Sequence, residues 1–162
     1  IPLTLLGAYF VPGQPSELES MLQEGTFEPD PLERARGLRE VIVAAGLGKY
    51  ERGHAELPRP ADDRHHILVP GQVEDDRSVQ TGGCGLHSNL ELLRRVRAAK
   101  PDAYLIYKPH PDVLAGHRKG VVPDAEARSL ADEIATDAPI SALLNMVDAV
   151  HVNTSLAGFE AL

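Results

Sequence analysis

The stretch Ser88–Asp112, "SNLELLRRVRAAKPDAYLIYKPHPD", decides the fold. Ser88 followed by Glu91 is a capping-box pattern, and Leu90, Leu93, Val96 and Arg97 recur at helical spacing. The segment 88–100 therefore predicts an amphipathic helix. "DAYLIY" (102–107) then reads as a strand that stops at Lys108-Pro109-His110-Pro111. Working outward, "HILVP" (66–70) is a short apolar strand upstream. Downstream, "DAEARSLADEI" (124–134) predicts a helix leading to a short strand at 133–135. "SALLNMVD" (141–148) predicts a helical turn or two, "AVHV" (149–152) a fourth strand, and "SLAGFEAL" (155–162) a helix start. Strands alternating with helices imply an α/β domain, a Rossmann-like parallel sheet with helices on both faces.

The first third has a different texture. "PSELESMLQEG" carries Ser16 and Glu19 as a capping box and closes at Gly25, a short helix. "DPLERARGLREVIVAAGLG" offers Asp30 as a cap and Pro31 at the first helical position, and runs out near Gly46 or Gly48. Residues 49–66 are charged and broken by proline and glycine, with no periodicity, and predict a linker. The expected division is a helical segment and linker over 1–60 and the Rossmann-like domain over 61–162.

Composition narrows the function. The chain has 162 residues and a formal net charge of −8, with the acidic residues scattered, which argues against nucleic acid as a partner. Small anionic ligands need only one local positive site and stay open. One cysteine, Cys84 in "GGCG", builds neither a disulfide framework nor a zinc site, and no histidine pattern beside it suggests an activated thiol. No apolar run approaches the ~20 residues that span a bilayer, and no signal-peptide pattern opens the chain. A cytoplasmic location is expected. The sequence opens at Ile1 and stops inside an apparent helix at Leu162, so a piece of a longer protein is also expected.

The polar clusters follow the predicted strands. "GQVEDD" follows the first, "KPHPD" the second, "TDAPIS" the third and "NTS" the fourth. Ligands of open parallel sheets bind outside the carboxyl ends of the strands, so these loops should gather at one rim. Lys108 and His110 alone would read as solvated groups; on this rim they point to an anionic ligand, with the prolines fixing the loop. Thr154 and Ser155 are read as opening a helix with Gly158 one turn in, an arrangement suited to phosphate and equally to a simple cap. Glu160 is a candidate acceptor for ribose hydroxyls or a plain surface carboxylate. Gln72 and Asp76 flank an acidic loop with Glu74 and Asp75. Carboxylates there suit a metal, a sugar hydroxyl or a base, and three in a row equally describe a solvated turn. His65-His66 and Asp62-Asp63 precede the first strand, at the wrong edge for this cleft. No metal-ligand spacing, Walker motif, GxGxxG or GxSxG is present. These residues point to a phosphate-bearing ligand and leave the reaction open.

Taken together, "ILVPGQVEDDRSV", "NLELLRRVRAAKPDAYLIYKPHPDVLAGHRKG" and "VHVNTSLAGFEAL" resemble the bacterial capsule polysaccharide biosynthesis proteins. These are cytosolic glycosyltransferases that build the lipid-linked Kdo linker of capsule chains. The resemblance covers about the last hundred residues, plus "LGKYERG" (47–53), which is similar to a short Lys-Tyr motif of the family. The wording "GQVEDD" and "YKPHPDV" is more similar to the second of the family's two tandem transferase modules. The resemblance implies a GT-B arrangement, CMP-β-Kdo as donor, a lipid-linked oligo-Kdo acceptor and retention of configuration. It implies that His110 contacts the CMP phosphate and aids its departure, and that Thr154 and Ser155 hold the same phosphate. It places Glu160 near ribose or base, and Gln72 and Asp76 in the cleft near sugar or cytidine. A monophosphate leaving group can be neutralised by His110, Lys108 and a helix dipole, so neither metal nor cofactor is expected.

The chain departs from the family pattern by stopping inside the last motif. Most of the partner domain, expected to supply catalytic carboxylates, is absent, so the isolated chain is expected to be inactive. An unpaired sheet edge makes self-association an expectation as well. Two other readings stand beside this one. The first is a CDP-glycerol or CDP-ribitol phosphotransferase of the teichoic-acid type. The second is a non-catalytic module contacting capsule export machinery at the inner membrane, where a peripheral association is also expected.

Overall fold

The computed structural model describes residues 13–48 and 56–162, so the Lys-Tyr motif at Lys49 and Tyr50 lies outside the described residues. The chain divides into two compact units, Ile1–Ala45 and Gly46–Leu162.

In the first unit, α1 (Glu17–Glu24) forms as the capping box directs. The Glu19 amide donates to the Ser16 hydroxyl at 3.2 Å, and the Glu19 carboxylate accepts from the Ser16 amide at 2.8 Å. The second helix, α2 (Pro29–Ala44), starts before the expected Asp30 cap: Glu28 is the extended N-cap and Pro29 takes the first turn. Pro29 is pre-set for that place as well as Pro31 is, and Asp30 then lies in the first turn, where a carboxylate meets the positive helix end. Gly46, at φ 59°, supplies the left-handed residue after the helix.

The second unit runs β1 (His66–Pro70), α3 (Arg77–Gly82), α4 (Asn89–Ala99), β2 (Tyr104–Lys108), α5 (Pro111–Leu114), α6 (Asp124–Leu130), β3 (Glu133–Ile134), α7 (Ile140–Leu144), β4 (Ala149–Val150) and α8 (Ala157–Glu160). The four strands form one parallel sheet in the order β3-β2-β1-β4. His66 pairs with Tyr104, Ile67 with Ala149 and Ile106 with Glu133. Alternation sends Ile67, Val69, Leu105 and Tyr107 to one face, against Leu92, Leu93 and Val96 of α4 and Ala127 of α6. Leu68 and Ile106 point to the other, against Leu143 of α7 and Met146. Helices thus cover both faces, as the continuous apolar runs of the strands require.

The one-turn helices α3 and α5 were not foreseen, because neither is long enough to show a period. Ser88 caps α4 by accepting from the Glu91 amide at 3.1 Å, while the Glu91 carboxylate pairs with Arg95 at 2.9 Å. The predicted linker contributes two anchors to the N-terminal edge of the sheet. Asp148 accepts from the His66 amide at 2.9 Å and binds Arg59 through both carboxylate oxygens. Asp132 accepts from the Leu105 amide at 2.9 Å and pairs with Arg64 and Arg97. His66 itself is fully buried, its ring stacked at a tilt on Tyr104 with centroids 4.9 Å apart.

The Arg59 guanidinium, with help from the His66 amide, holds the Asp148 carboxyl below the usual carboxylate range. Asp132 is partly desolvated, which works the other way, yet the Leu105 amide and the two arginines also leave it depressed. A carboxyl with a depressed folded pKa contributes stability above the unfolded carboxylate range and loses it as pH falls through the folded value. Urea unfolding of the wild type should therefore weaken as pH drops below ordinary carboxylate values. Asp148→Asn should be less stable at neutral pH and less sensitive to acid; equal acid sensitivity would contradict this account. Leu68, buried in the central strand, should cost about 2–5 kcal/mol of unfolding free energy on Leu68→Ala, read from the same denaturation curves.

Candidate functional site

The strand order places the candidate site. From β1 the chain winds outward through β2 and β3, then returns to add β4 on the other side of β1. The loops after β1 and β4 therefore diverge at a switch point, the place where open α/β sheets receive ligands.

The last bond of the β1–β2 ladder is from the Gly71 amide to the Lys108 carbonyl, at 2.7 Å. A Cβ at Gly71 would lie 2.9 Å from the Tyr107 hydroxyl and 3.3 Å from that carbonyl, so a side chain there would have to push the buried Tyr107 ring aside. Gln72 follows and is buried; its side-chain oxygen accepts from the Thr154 amide at 3.2 Å. The Thr154 hydroxyl lies 3.3 Å from the Ser78 hydroxyl, and Ser78 donates from both amide and hydroxyl to the Asp76 carboxylate, at 2.9 and 2.8 Å. Gln72, Asp76, Ser78 and Thr154 thus form one connected polar chain across the switch point. Asp76 is the N-cap of α3, which explains why that short helix begins where it does. Ser78 was missed by sequence reasoning; Asp-x-Ser after a strand is an N-cap signal that could have marked it.

His110 caps α5, with Pro111 at its first position. Its Nδ1 accepts from the Asp112 amide at 3.2 Å, and the Asp112 carboxylate is 3.9 Å away. With Nδ1 accepting, the proton of the neutral ring belongs on Nε2. Lys108, the last residue of β2, is buried to 7% exposure and its ammonium donates to the Ala138 carbonyl in the loop after β3. The lysine thus ties two rim loops together.

The loop after β4 differs from expectation. Thr154 and Ser155 do not begin the helix: Ser155 accepts from the Ala157 amide at 3.2 Å, and α8 is a single turn from Ala157 with Leu156 as N-cap. That local hydroxyl–amide turn competes with helical geometry and delays its start. Gly158 is required by close packing, since a Cβ there would lie 2.7 Å from Val152. Glu160 ends α8 and is half-buried. Next to this loop, burial above all holds the His151 imidazole below its usual range.

Asn89 is the second residue sequence reasoning missed. It is 2% exposed, and its side-chain amide binds both the N–H and the carbonyl of Gln72. A buried asparagine at the first position of a helix, one of few buried polar residues among those described, had no sequence signal beyond its place after Ser88. Among the described residues no helix is long and apolar enough to cross a membrane, and no group of three or more His, Cys, Asp or Glu side chains is arranged to hold a metal. Asp62, one of the acidic pair before β1, is instead bound to Arg64 at 2.8 Å.

Known proteins resemble this chain along nearly its whole length. The chain is 42% identical over 165 residues to the capsule polysaccharide modification protein LipA of Neisseria meningitidis serogroup B, covering 99% of this chain and 23% of LipA. It superposes on Thermosulfurimonas dismutans KpsC, beta Kdo 2,7 transferase, with a TM-score of 0.79 and 37% identity, covering 98% of this chain and 47% of that one. The beta Kdo 2,4 transferase structure of KpsC from the same organism also gives 0.79, at 25% identity, over 98% of this chain and 50% of that one. The chain thus spans about a quarter of LipA's length and about half of each transferase structure. The profile described as capsule polysaccharide biosynthesis protein matches residues 44–162, and the chain belongs to that family.

Proposed function

We propose that this chain is the donor-binding part of a glycosyltransferase that moves Kdo from CMP-β-Kdo to a lipid-linked oligo-Kdo acceptor, with retention. The observation that carries the reading is the likeness to a β-Kdo 2,7 transferase structure over 98% of the chain at 37% identity. Residues 61–162 would form the Rossmann-like donor domain of a GT-B enzyme, and 1–60 would come from the preceding domain. The acceptor and its lipid would bring the enzyme to the cytoplasmic face of the inner membrane.

In this reading the cytidine monophosphate lies across the switch point. The Nε2–H of His110 donates to a phosphate oxygen, and its Nδ1 stays occupied by the Asp112 amide, which fixes the ring. Charge that develops on the leaving phosphate meets a donor already in place, so little reorganisation is needed at the transition state. Thr154 and Ser155 offer hydroxyls to the same phosphate. Lys108 contributes its charge from beneath the loop while tied to Ala138. Gln72 and Asp76 hold Thr154 through the polar chain and line the sugar or cytidine side, with Asp76 acting in catalysis and Glu160 facing the ribose.

Titration of CMP into the intact protein by calorimetry tests this. His110→Ala should weaken binding by about 1.5–3 kcal/mol, the scale of a charge-assisted hydrogen bond. Absence of CMP binding, or binding indifferent to His110, would overturn the assignment. Competition adds a second test: CMP-Kdo should displace bound CMP and CDP-glycerol should not. The reverse order would favour a teichoic-acid type phosphotransferase.

A further inference from the structure

We propose that Asn89 is a positioning residue that sets the spacing between the loop carrying Gln72 and the loop that descends from His110. Its side-chain oxygen accepts from the Gln72 amide at 2.9 Å, and its side-chain nitrogen donates to the carbonyls of Gln72 and Gly120, both at 2.8 Å. Its own amide donates to the Glu74 carboxylate at 2.7 Å. One buried side chain thereby pairs with Gln72 as a neighbouring strand would, and with the same amide group seizes the segment after α5.

Other links also join these loops. The Glu74 amide donates to the Lys119 carbonyl at 3.0 Å, and Arg118 pairs with Asp75 at 3.1 Å. The ion pair is exposed at both ends and contributes little. The Asn89 bonds are shielded from water, so breaking them leaves buried carbonyls without a partner. Gly120 completes the clamp. It sits at φ 133°, and a Cβ there would lie 2.8 Å from both the Asn89 side-chain nitrogen and the Gln72 carbonyl. His110 is the cap of α5, and Gly120 lies six residues beyond that helix. Displacing Gly120 therefore shifts the support of His110 relative to Gln72 and Thr154.

The effect on ligand rests on the donor site proposed above; the spacing itself does not. Asn89→Asp keeps size and the acceptor for Gln72 but turns an oxygen toward the Gln72 and Gly120 carbonyls. Gly120→Ala wedges the clamp from the other side. Amide hydrogen exchange on the intact protein should then speed up at least roughly tenfold at Gln72 and Thr154 in both variants, the scale of one lost hydrogen bond. The sheet amides of Leu68 and Ile106 should keep their wild-type protection. In the same variants the KM for donor should rise by more than kcat falls. Unchanged exchange at Gln72 and Thr154, or equal loss at rim and sheet, would overturn the inference, the latter marking Asn89 as part of the general core. If exchange responds as expected while wild-type protein ignores CMP and donor, the positioning role stands and the donor reading falls.

Discussion

Apart from Tyr104 at its start, every residue of β1 and β2 is buried, and every buried amide and carbonyl in the two strands must find a partner. The sheet satisfies this in its middle but runs out of partners at its ends. Side chains take over there. At one edge Asp148 accepts the first amide of β1 and Asp132 the second amide of β2, that of Leu105, and Asn89 pairs with the residue just past the ladder at the other. Three polar side chains thus stand in for strands that are too short, β3 and β4 having two residues each. Replacing any of them with an apolar residue would leave a buried backbone group unpaired.

The same solution shapes the rim. Because β4 is short, its loop rises beside β1 early enough for Thr154 to reach Gln72 and Ser78. The polar residues of the switch point are therefore joined to one another. Asn153 extends the connection by donating to the Leu86 carbonyl at 2.7 Å, which ties the β4 loop to the turn before α4. A rim built this way is ordered in advance: its hydroxyls and imidazole are held by neighbours.

Much of this was legible in the sequence, for identifiable reasons. The strands read as apolar runs because both faces are buried, and α4 read as a helix because eleven residues are enough to show its period. Ser16 and Glu19 announced α1, and the two close their capping box on each other in both directions. The Glu91 carboxylate pairs with Arg95 instead, so only half of that capping box forms. The short helices α3 and α5 were illegible, since four to six residues carry no period, and their caps, Asp76 and His110, read as ligand-facing or solvated groups and not as caps. Asn89 stayed hidden because its role depends on Gly120, which is far along the chain, and on a φ angle that no composition reveals. The gathering of Gln72 and Thr154 at one rim followed from strand alternation; the bond between them did not.

The pairing of Ile67 with Ala149 reaches more than twice as far along the chain as the pairing of His66 with Tyr104. Loop closure makes the nearer pair cheaper to form, so β1, α4 and β2 are the natural nucleus and β4 arrives afterwards. The polar chain at the switch point needs β4. On a ribosome, where the N-terminal part emerges first, the molecule would hold a formed β1–β2 pair before it holds the polar chain of the rim. The rim contacts are then the last to be acquired in folding, and an incompletely folded chain lacks them.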